Sequence, residues 1–229
     1  MNFFDSLIDD VKEVLEPFDK KDYPYGKIWE DVGKNTLVLK RDEAFELDGV
    51  GFNLITAQDI GESGVTVIGP ELQKLNGETN FARIALIRMS ETSDEQKLYD
   101  TIRKVEYVKY HYFPKGYMVR YVSTSHKEGV RLTKAALKQG ITFEQVGNLL
   151  VSKYLENPSV LAARVIYVTA DGADYERLPK TAEKNYEITE TLNHIMKNIK
   201  LDCGSCNLKP ICDEVEGMRE LHFKNAGMK

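Results

Sequence analysis

All three cysteines of the chain fall in one ten-residue segment, at positions 203, 206 and 212, with the spacing C-x2-C-x5-C. Thiolates at such a spacing can bind one metal ion or one iron–sulfur cluster, because the loop backbone is free to turn between them. Cys203 and Cys206 stand among turn-forming residues and not on an apolar period, which disfavours inert buried thiols. The segment therefore predicts a metal centre held by Cys203, Cys206 and Cys212.

The ligand set leaves the identity of the metal open. A 4Fe-4S iron–sulfur cluster is the first interpretation, because one iron can accept a non-cysteine ligand and Pro210 before Cys212 resembles the turns of ferredoxin-like loops. Zinc is the alternative, and its fourth ligand would be His222 or Asp213. Residues 213–223 have an apolar side and an acidic side, which predicts a short amphipathic helix that packs the cysteine loop onto the domain.

Three basic residues, Lys127, Arg131 and Lys134, form a second group of candidate ligands. They follow a predicted strand, and a helix over residues 127–139 would place them on one face, four and three positions apart. Anionic ligands often dock where a strand passes into a helix, and the preceding residues 123–126 add hydroxyls and an imidazole. The group predicts a site for an anion, with a solvated basic face on a capped helix as the alternative.

Composition limits the classes of function. The net charge of -5 disfavours a general role in binding nucleic acid, which needs clustered lysine and arginine. No apolar run approaches the length of a membrane span, and the first residues are acidic where a signal peptide is basic. We therefore expect no nucleic-acid or membrane partner and a cytoplasmic location, where a disulfide framework is disfavoured.

Apolar periodicity predicts an alternation of helices and strands over most of the chain. The predicted helices span residues 2–16, 94–112, 127–139, 142–156 and 175–200, with Ser93 and Thr142 as N-caps. The predicted strands span residues 36–40, 50–55, 65–68, 82–87, 117–122 and 160–169. We expect a layered α/β fold with a mixed, mostly parallel sheet flanked by helices. Its parts would be an N-terminal helix and connector (1–35), an α/β domain (36–200), and a C-terminal cysteine loop with a short helix (201–229).

The central part of the chain resembles a known family. Residues 65–72, 131–150 and 164–169 carry the resemblance, and its most specific part is the pattern K-x-G-[IL]-T-F-x-x-[VI]-G, found at residues 138–147. Over about residues 36–195 the chain is similar to the domain of the CO dehydrogenase/acetyl-CoA synthase beta subunit that does not hold the catalytic cluster. That family joins CO, a corrinoid-borne methyl group and coenzyme A into acetyl-CoA.

The resemblance implies a role in anaerobic one-carbon metabolism, but not the family's catalysis. The family holds its nickel–iron–sulfur cluster on a C-x2-C-x8-C-x9-C segment and a C-G-C tripeptide, neither of which occurs in this sequence. The resemblance therefore implies a stand-alone accessory subunit that docks on a corrinoid protein or a CO dehydrogenase-type subunit. It also implies coenzyme A as a ligand, with its phosphates on Lys127, Arg131 and Lys134. An enzyme acting on a coenzyme A or corrinoid substrate is the alternative, and self-association is left open.

Overall fold

The computed structural model describes residues 3–29, 37–92, 94–112, 114–122, 127–197, 206–215 and 217–225. Within these ranges the chain forms seven α-helices and seven strands. The helices are α1 (Asp5–Leu15), α2 (Glu95–His111), α3 (Lys134–Lys138), α4 (Phe143–Leu155), α5 (Arg177–Met196), α6 (Lys209–Glu214) and α7 (Met218–Asn225). The strands are β1 (Lys21–Pro24), β2 (Glu43–Thr56), β3 (Gly64–Ile68), β4 (Asn80–Met89), β5 (Tyr117–Val122), β6 (Lys127–Thr133) and β7 (Val160–Val168).

The strands form one mixed sheet in the order β1-β3-β7-β4-β2-β6-β5. This confirms the layered α/β class. The expected excess of parallel pairs is wrong, because only β2/β4 and β3/β7 run parallel, whereas the other four pairs are antiparallel. A helix between two strands favours a parallel pair only when those strands become neighbours. Here most neighbours in the sheet are not consecutive in the chain.

Helices cover both faces of the sheet. Side chains alternate between faces along a strand, and on β2 the side chain of Asn53 faces α4, where the Tyr154 hydroxyl donates to Asn53 Oδ1 over 3.1 Å. Thr56 faces the opposite layer, where its hydroxyl donates to Asp5 of α1 over 2.8 Å. Helix α5 packs beside α1, and α2 contacts both α4 and α5. A single apolar core joins both ends of the chain, since it includes Leu7 and Leu221.

The helix predicted over residues 127–139 is wrong. Residues Lys127–Thr133 form strand β6, and only Lys134–Lys138 are helical. Along β6 the side chains of Glu128, Val130 and Leu132 are fully buried, which is the two-residue period of a strand. A charged residue at one of the inward positions hides this period in the sequence.

Two other local predictions are also corrected. The strand predicted over 36–40 is not found over residues 37–39, and Lys40–Asp42 forms a 3-10 turn. The cap of α2 is Asp94, whose carboxylate accepts from the Lys97 backbone N–H over 3.1 Å, whereas Ser93 lies outside the described residues. The Thr142 cap of α4 is confirmed, because its hydroxyl and the Gln145 side chain form a reciprocal capping box.

None of the helices in the described ranges combines the length and the apolar character that a membrane crossing requires.

Candidate functional site

The described part of the cysteine segment, residues 206–212, leads into helix α6. Cys206 is in the turn before α6, where its carbonyl accepts from the Lys209 backbone N–H over 3.2 Å, and Cys212 lies within α6. Both thiols are half-buried. Cys203 lies outside the described residues, so the complete ligand set remains a prediction.

Helices α6 and α7 are docked on the α/β layers by apolar contacts and ion pairs. Ile211 of α6 and Met218 and Leu221 of α7 are buried in the common core. Ion pairs join Lys184 of α5 to Glu214 of α6, and Lys224 of α7 to Glu95 of α2 over 2.8 Å. A metal bound beside Cys206 and Cys212 would therefore sit on an element that is held against the core.

The segment predicted as one amphipathic helix consists of two. Helix α6 ends at Glu214 and α7 begins at Met218, and Gly217 between them has a φ of +80°, a left-handed conformation that glycine adopts without steric cost. The expected docking of this segment by its apolar side is confirmed, since Met218 is 0% exposed.

The two candidates for a fourth ligand have different surroundings. The Asp213 carboxylate accepts from Lys209 Nζ over 2.8 Å and lies 3.6 Å from Arg219 Nη1. The hydrogen bond from Lys209 lowers the pKa of Asp213 below its ordinary value. The His222 ring lies on α7, parallel to the Phe223 ring with centroids 6.1 Å apart. Within the described ranges no three His, Cys, Asp or Glu side chains gather as a metal site.

The structure does not bring Lys127, Arg131 and Lys134 together on a helix. Lys127 and Arg131 point to the same side of β6, but the four residue steps between them place their Cα atoms about 13 Å apart, twice the spacing of such a pair on a helix. Arg131 donates from Nε to Glu46 over 2.7 Å and lies 3.8 Å from Glu43. The Glu46 hydrogen bond raises the pKa of Arg131. Its charge is already compensated within the sheet.

Lys134 instead borders a separate open cleft. The cleft has a volume of about 460 Å³ and combines the basic side chains of Arg41, Lys115 and Lys134 with the apolar surface of Ala136. Asp42 also lines the cleft and lies 3.5 Å from Arg41 Nε, so it offsets one of these charges. Pockets that hold organic ligands of moderate size typically measure 300–1,000 Å³. The cleft could therefore accept a part of a large anionic ligand.

The sheet also contains a buried ion pair that the sequence analysis missed. Arg83 of β4 and Glu128 of β6 are 2% and 0% exposed, and Arg83 Nε lies 3.0 Å from both carboxylate oxygens. Arg83 Nη1 donates to Asn53 Oδ1 over 3.2 Å, and Asn53 Nδ2 donates to Glu106 over 2.9 Å. Tyr154 donates to the same Asn53 oxygen, so the chain of contacts extends from the core to α2.

The one sequence signal for this pair is an arginine inside an apolar strand, at the second position of the run 82–87. Its partner could not be found by spacing, because β2 lies between β4 and β6 in the sheet. The pair meets across Gly51 of β2, where a Cβ atom would lie only 1.4 Å from Glu128 Oε2.

Tyrosines surround the buried pair and remain neutral. Burial raises the pKa of Tyr117, Tyr121, Tyr154 and Tyr167. Neutral phenols donate and accept hydrogen bonds but carry no charge into the core. In the described part of the chain, the buried hydroxyls of Tyr117 and Tyr167 have no hydrogen-bond partner.

These observations define an α/β domain with a mixed seven-stranded sheet, a buried ion pair at its centre, and a helical C-terminal extension that bears cysteines. The family model described as the CO dehydrogenase/acetyl-CoA synthase complex beta subunit matches residues 31–174, and the chain belongs to this family. This confirms the resemblance found in the sequence. Among curated proteins, none matches the chain. The matched region holds β2 to β7, whereas the cysteine segment lies outside it.

Proposed function

We propose that the chain is an accessory subunit of a CO dehydrogenase/acetyl-CoA synthase-type assembly of anaerobic one-carbon metabolism. It binds a corrinoid protein or a CO dehydrogenase-type subunit, and it carries an iron–sulfur cluster on Cys203, Cys206 and Cys212. Membership of a family of complex subunits is the observation that carries the proposal.

The position of the cysteines supports metal binding. Cys206 and Cys212 are neither deeply buried nor fully exposed, and they flank the beginning of a helix that is fixed to α5. Asp213 is engaged by Lys209. Cys206, Cys212 and His222 do not gather as a metal site in the part of the chain that the structure describes, so His222 stays a predicted fourth ligand. The cluster would supply one-electron transfer or hold the extension in place.

The absence of the family's nickel-binding cysteine motifs from this sequence supports an accessory role. Nickel chemistry requires a dedicated donor set, and three cysteines at C-x2-C-x5-C do not provide the C-G-C tripeptide. We therefore expect the isolated chain to produce no acetyl-CoA from CO, a methylated corrinoid and coenzyme A.

Binding and activity assays on the full chain test this function. The chain, purified without oxygen, is mixed separately with a corrinoid protein and with a CO dehydrogenase subunit, and the molar mass is followed by light scattering. We expect a complex with one of the two and no synthesis of acetyl-CoA by the chain alone. Failure to bind either partner would contradict the docking role, and synthesis that follows nickel content would contradict the accessory role.

The cleft beside Lys134 favours a second candidate, an enzyme that acts on a coenzyme A or corrinoid substrate. Its basic and apolar walls suit a ligand with phosphates and a thiol-bearing arm. Lys134→Ala should weaken coenzyme A binding roughly tenfold, the loss expected for one charge-assisted contact. Arg131→Ala should leave the affinity unchanged, because Arg131 is paired with Glu46. Calorimetric titration with coenzyme A measures these affinities in the unmodified chain and in both variants. The absence of heat with the unmodified chain would exclude coenzyme A as the ligand.

A further inference from the structure

Strand β2 extends beyond its neighbour β6, and a pocket lies at the exposed part of its edge. The last β2/β6 pair joins Val50 to Lys127, whereas β4 accompanies β2 as far as Thr56. Helices α2 and α5 contact each other and β2, whose edge beyond Val50, opposite β4, has no strand partner among the described residues. A pocket remains between them, with Gly51 among its lining residues.

The side-chain oxygen of a buried amide in this pocket lacks a partner. Asn185 of α5 is 5% exposed, it lines the pocket, and its side-chain oxygen has no hydrogen-bond partner in the described part of the protein. A buried polar atom without a partner costs about 1–3 kcal/mol. The oxygen and nitrogen of an asparagine amide can exchange places by rotation, so the amide can present either a donor or an acceptor to a ligand.

The pocket carries one excess positive charge. Lys109 Nζ lies 3.7 Å from Glu106 Oε2, and this weak pair is oriented by the Tyr110 and Tyr121 rings, whose centroids lie 5.1 and 5.2 Å from the ammonium. The Glu106 carboxylate also accepts a hydrogen bond from Asn53 Nδ2. Lys127 also lines the pocket, and the described residues offer it no ion-pair partner. The charges therefore favour a monoanion.

The size of the pocket limits the anion. Its free volume of about 30 Å³ holds roughly two water-sized groups, at 10–15 Å³ each. Two such groups match the two oxygens of a carboxylate that enter the pocket, while the carbon atoms of the ligand lie at its surface beside the exposed Lys127. A nucleotide or a phosphate ester is too large. We propose that this pocket binds a small monocarboxylate, which accepts hydrogen bonds from Lys109, Lys127 and the rotated amide of Asn185. The site is independent of the cysteines and of the proposed metal.

Saturation-transfer NMR with acetate on the full chain tests the site. We expect saturation transfer to the acetate methyl protons, and a loss of this signal when formate competes for the site. The dissociation constant for acetate should be roughly tenfold higher in Lys127→Ala, because this variant lacks one charge-assisted contact. Lys127 is exposed, so this substitution preserves the fold. Lys12→Ala, which changes an exposed lysine on α1, is the matched control and should bind acetate normally. No transfer with the unmodified chain, or equal affinity in Lys127→Ala, would overturn the proposal.

Asn185→Leu provides a second readout that does not depend on affinity. Without acetate, its thermal midpoint should be higher than that of the unmodified chain, because a buried oxygen without a hydrogen-bond partner has been removed. Added acetate should raise the midpoint of the unmodified chain relative to equal chloride, but not that of the variant. A midpoint that acetate raises equally in both proteins would contradict the role of Asn185.

Discussion

Arg83 and Glu128 place two opposite charges where water does not reach them. Removing two ions from water costs several kcal/mol for each, and their attraction offsets this cost only while both are present with good geometry. Arg83 Nε lies 3.0 Å from both carboxylate oxygens and Nη1 is satisfied by Asn53. Nη2 lies 3.0 Å from Glu128 Oε2 but makes no hydrogen bond among the described residues. Its effect on stability therefore depends on whether one partner or both are changed.

Glu128→Gln should lower the free energy of unfolding by about 3–5 kcal/mol, because it leaves the Arg83 charge buried without a counter-charge. Replacing both residues by apolar ones, as in Arg83→Met with Glu128→Leu, should cost less than the single change. Urea unfolding followed by circular dichroism measures both. The control is Lys12→Ala, which breaks an exposed ion pair with Asp9 and should cost about 0–1 kcal/mol. A Glu128→Gln protein as stable as this control would refute the argument.

At the scale of elements, the helices and strands with a regular apolar period were predicted from the sequence. Helix α1 and strand β7 were found because their inward positions are almost all apolar. Strand β6 was missed because one inward position is Glu128, whose burial depends on Arg83 in a strand that is not its neighbour. The direction of strand pairs also depends on contacts that are distant in the chain, so local pattern could not fix it.

Strand β2 accommodates the buried pair by having glycine at position 51. A Cβ atom there would lie 1.4 Å from Glu128 Oε2 and 3.0 Å from Arg83 Nη2, and the ion pair prevents the carboxylate from moving aside. Gly51→Ala should therefore lower the free energy of unfolding by about 3 kcal/mol or more.

A double-mutant comparison separates this contact from the general cost of losing a glycine. In a Glu128→Ala background, which vacates the space beside Gly51, the same Gly51→Ala change should cost less than it does in the unmodified chain. Gly26→Ala is the control, because the nearest atom to its added Cβ would be 3.9 Å away. Equal costs of Gly51→Ala in the two backgrounds, measured by urea unfolding, would show that Glu128 is not the obstacle.

At the scale of the whole molecule, the chain joins a family domain to a cysteine-bearing extension. The family and the extension were both visible in the sequence, because a local pattern and three clustered cysteines carry them. The sequence could not decide between Asp213 and His222 as a possible fourth metal ligand, since they lie on separate helices whose relative position depends on the turn at Gly217. The pocket beside Lys127 was also hidden, because it forms where α2, α5 and β2 meet.

The metal content of the chain is the most direct test of its proposed role as a cluster-carrying subunit. Protein purified without oxygen is analysed for iron, acid-labile sulfide and zinc, and its visible spectrum is recorded. We predict bound iron and sulfide with thiolate-to-iron charge-transfer absorption, lost in Cys203→Ser, Cys206→Ser and Cys212→Ser and retained in the neighbouring control Ser205→Ala. A chain that holds zinc without iron and sulfide, that holds no metal, or that keeps its iron in all three cysteine variants would contradict the account.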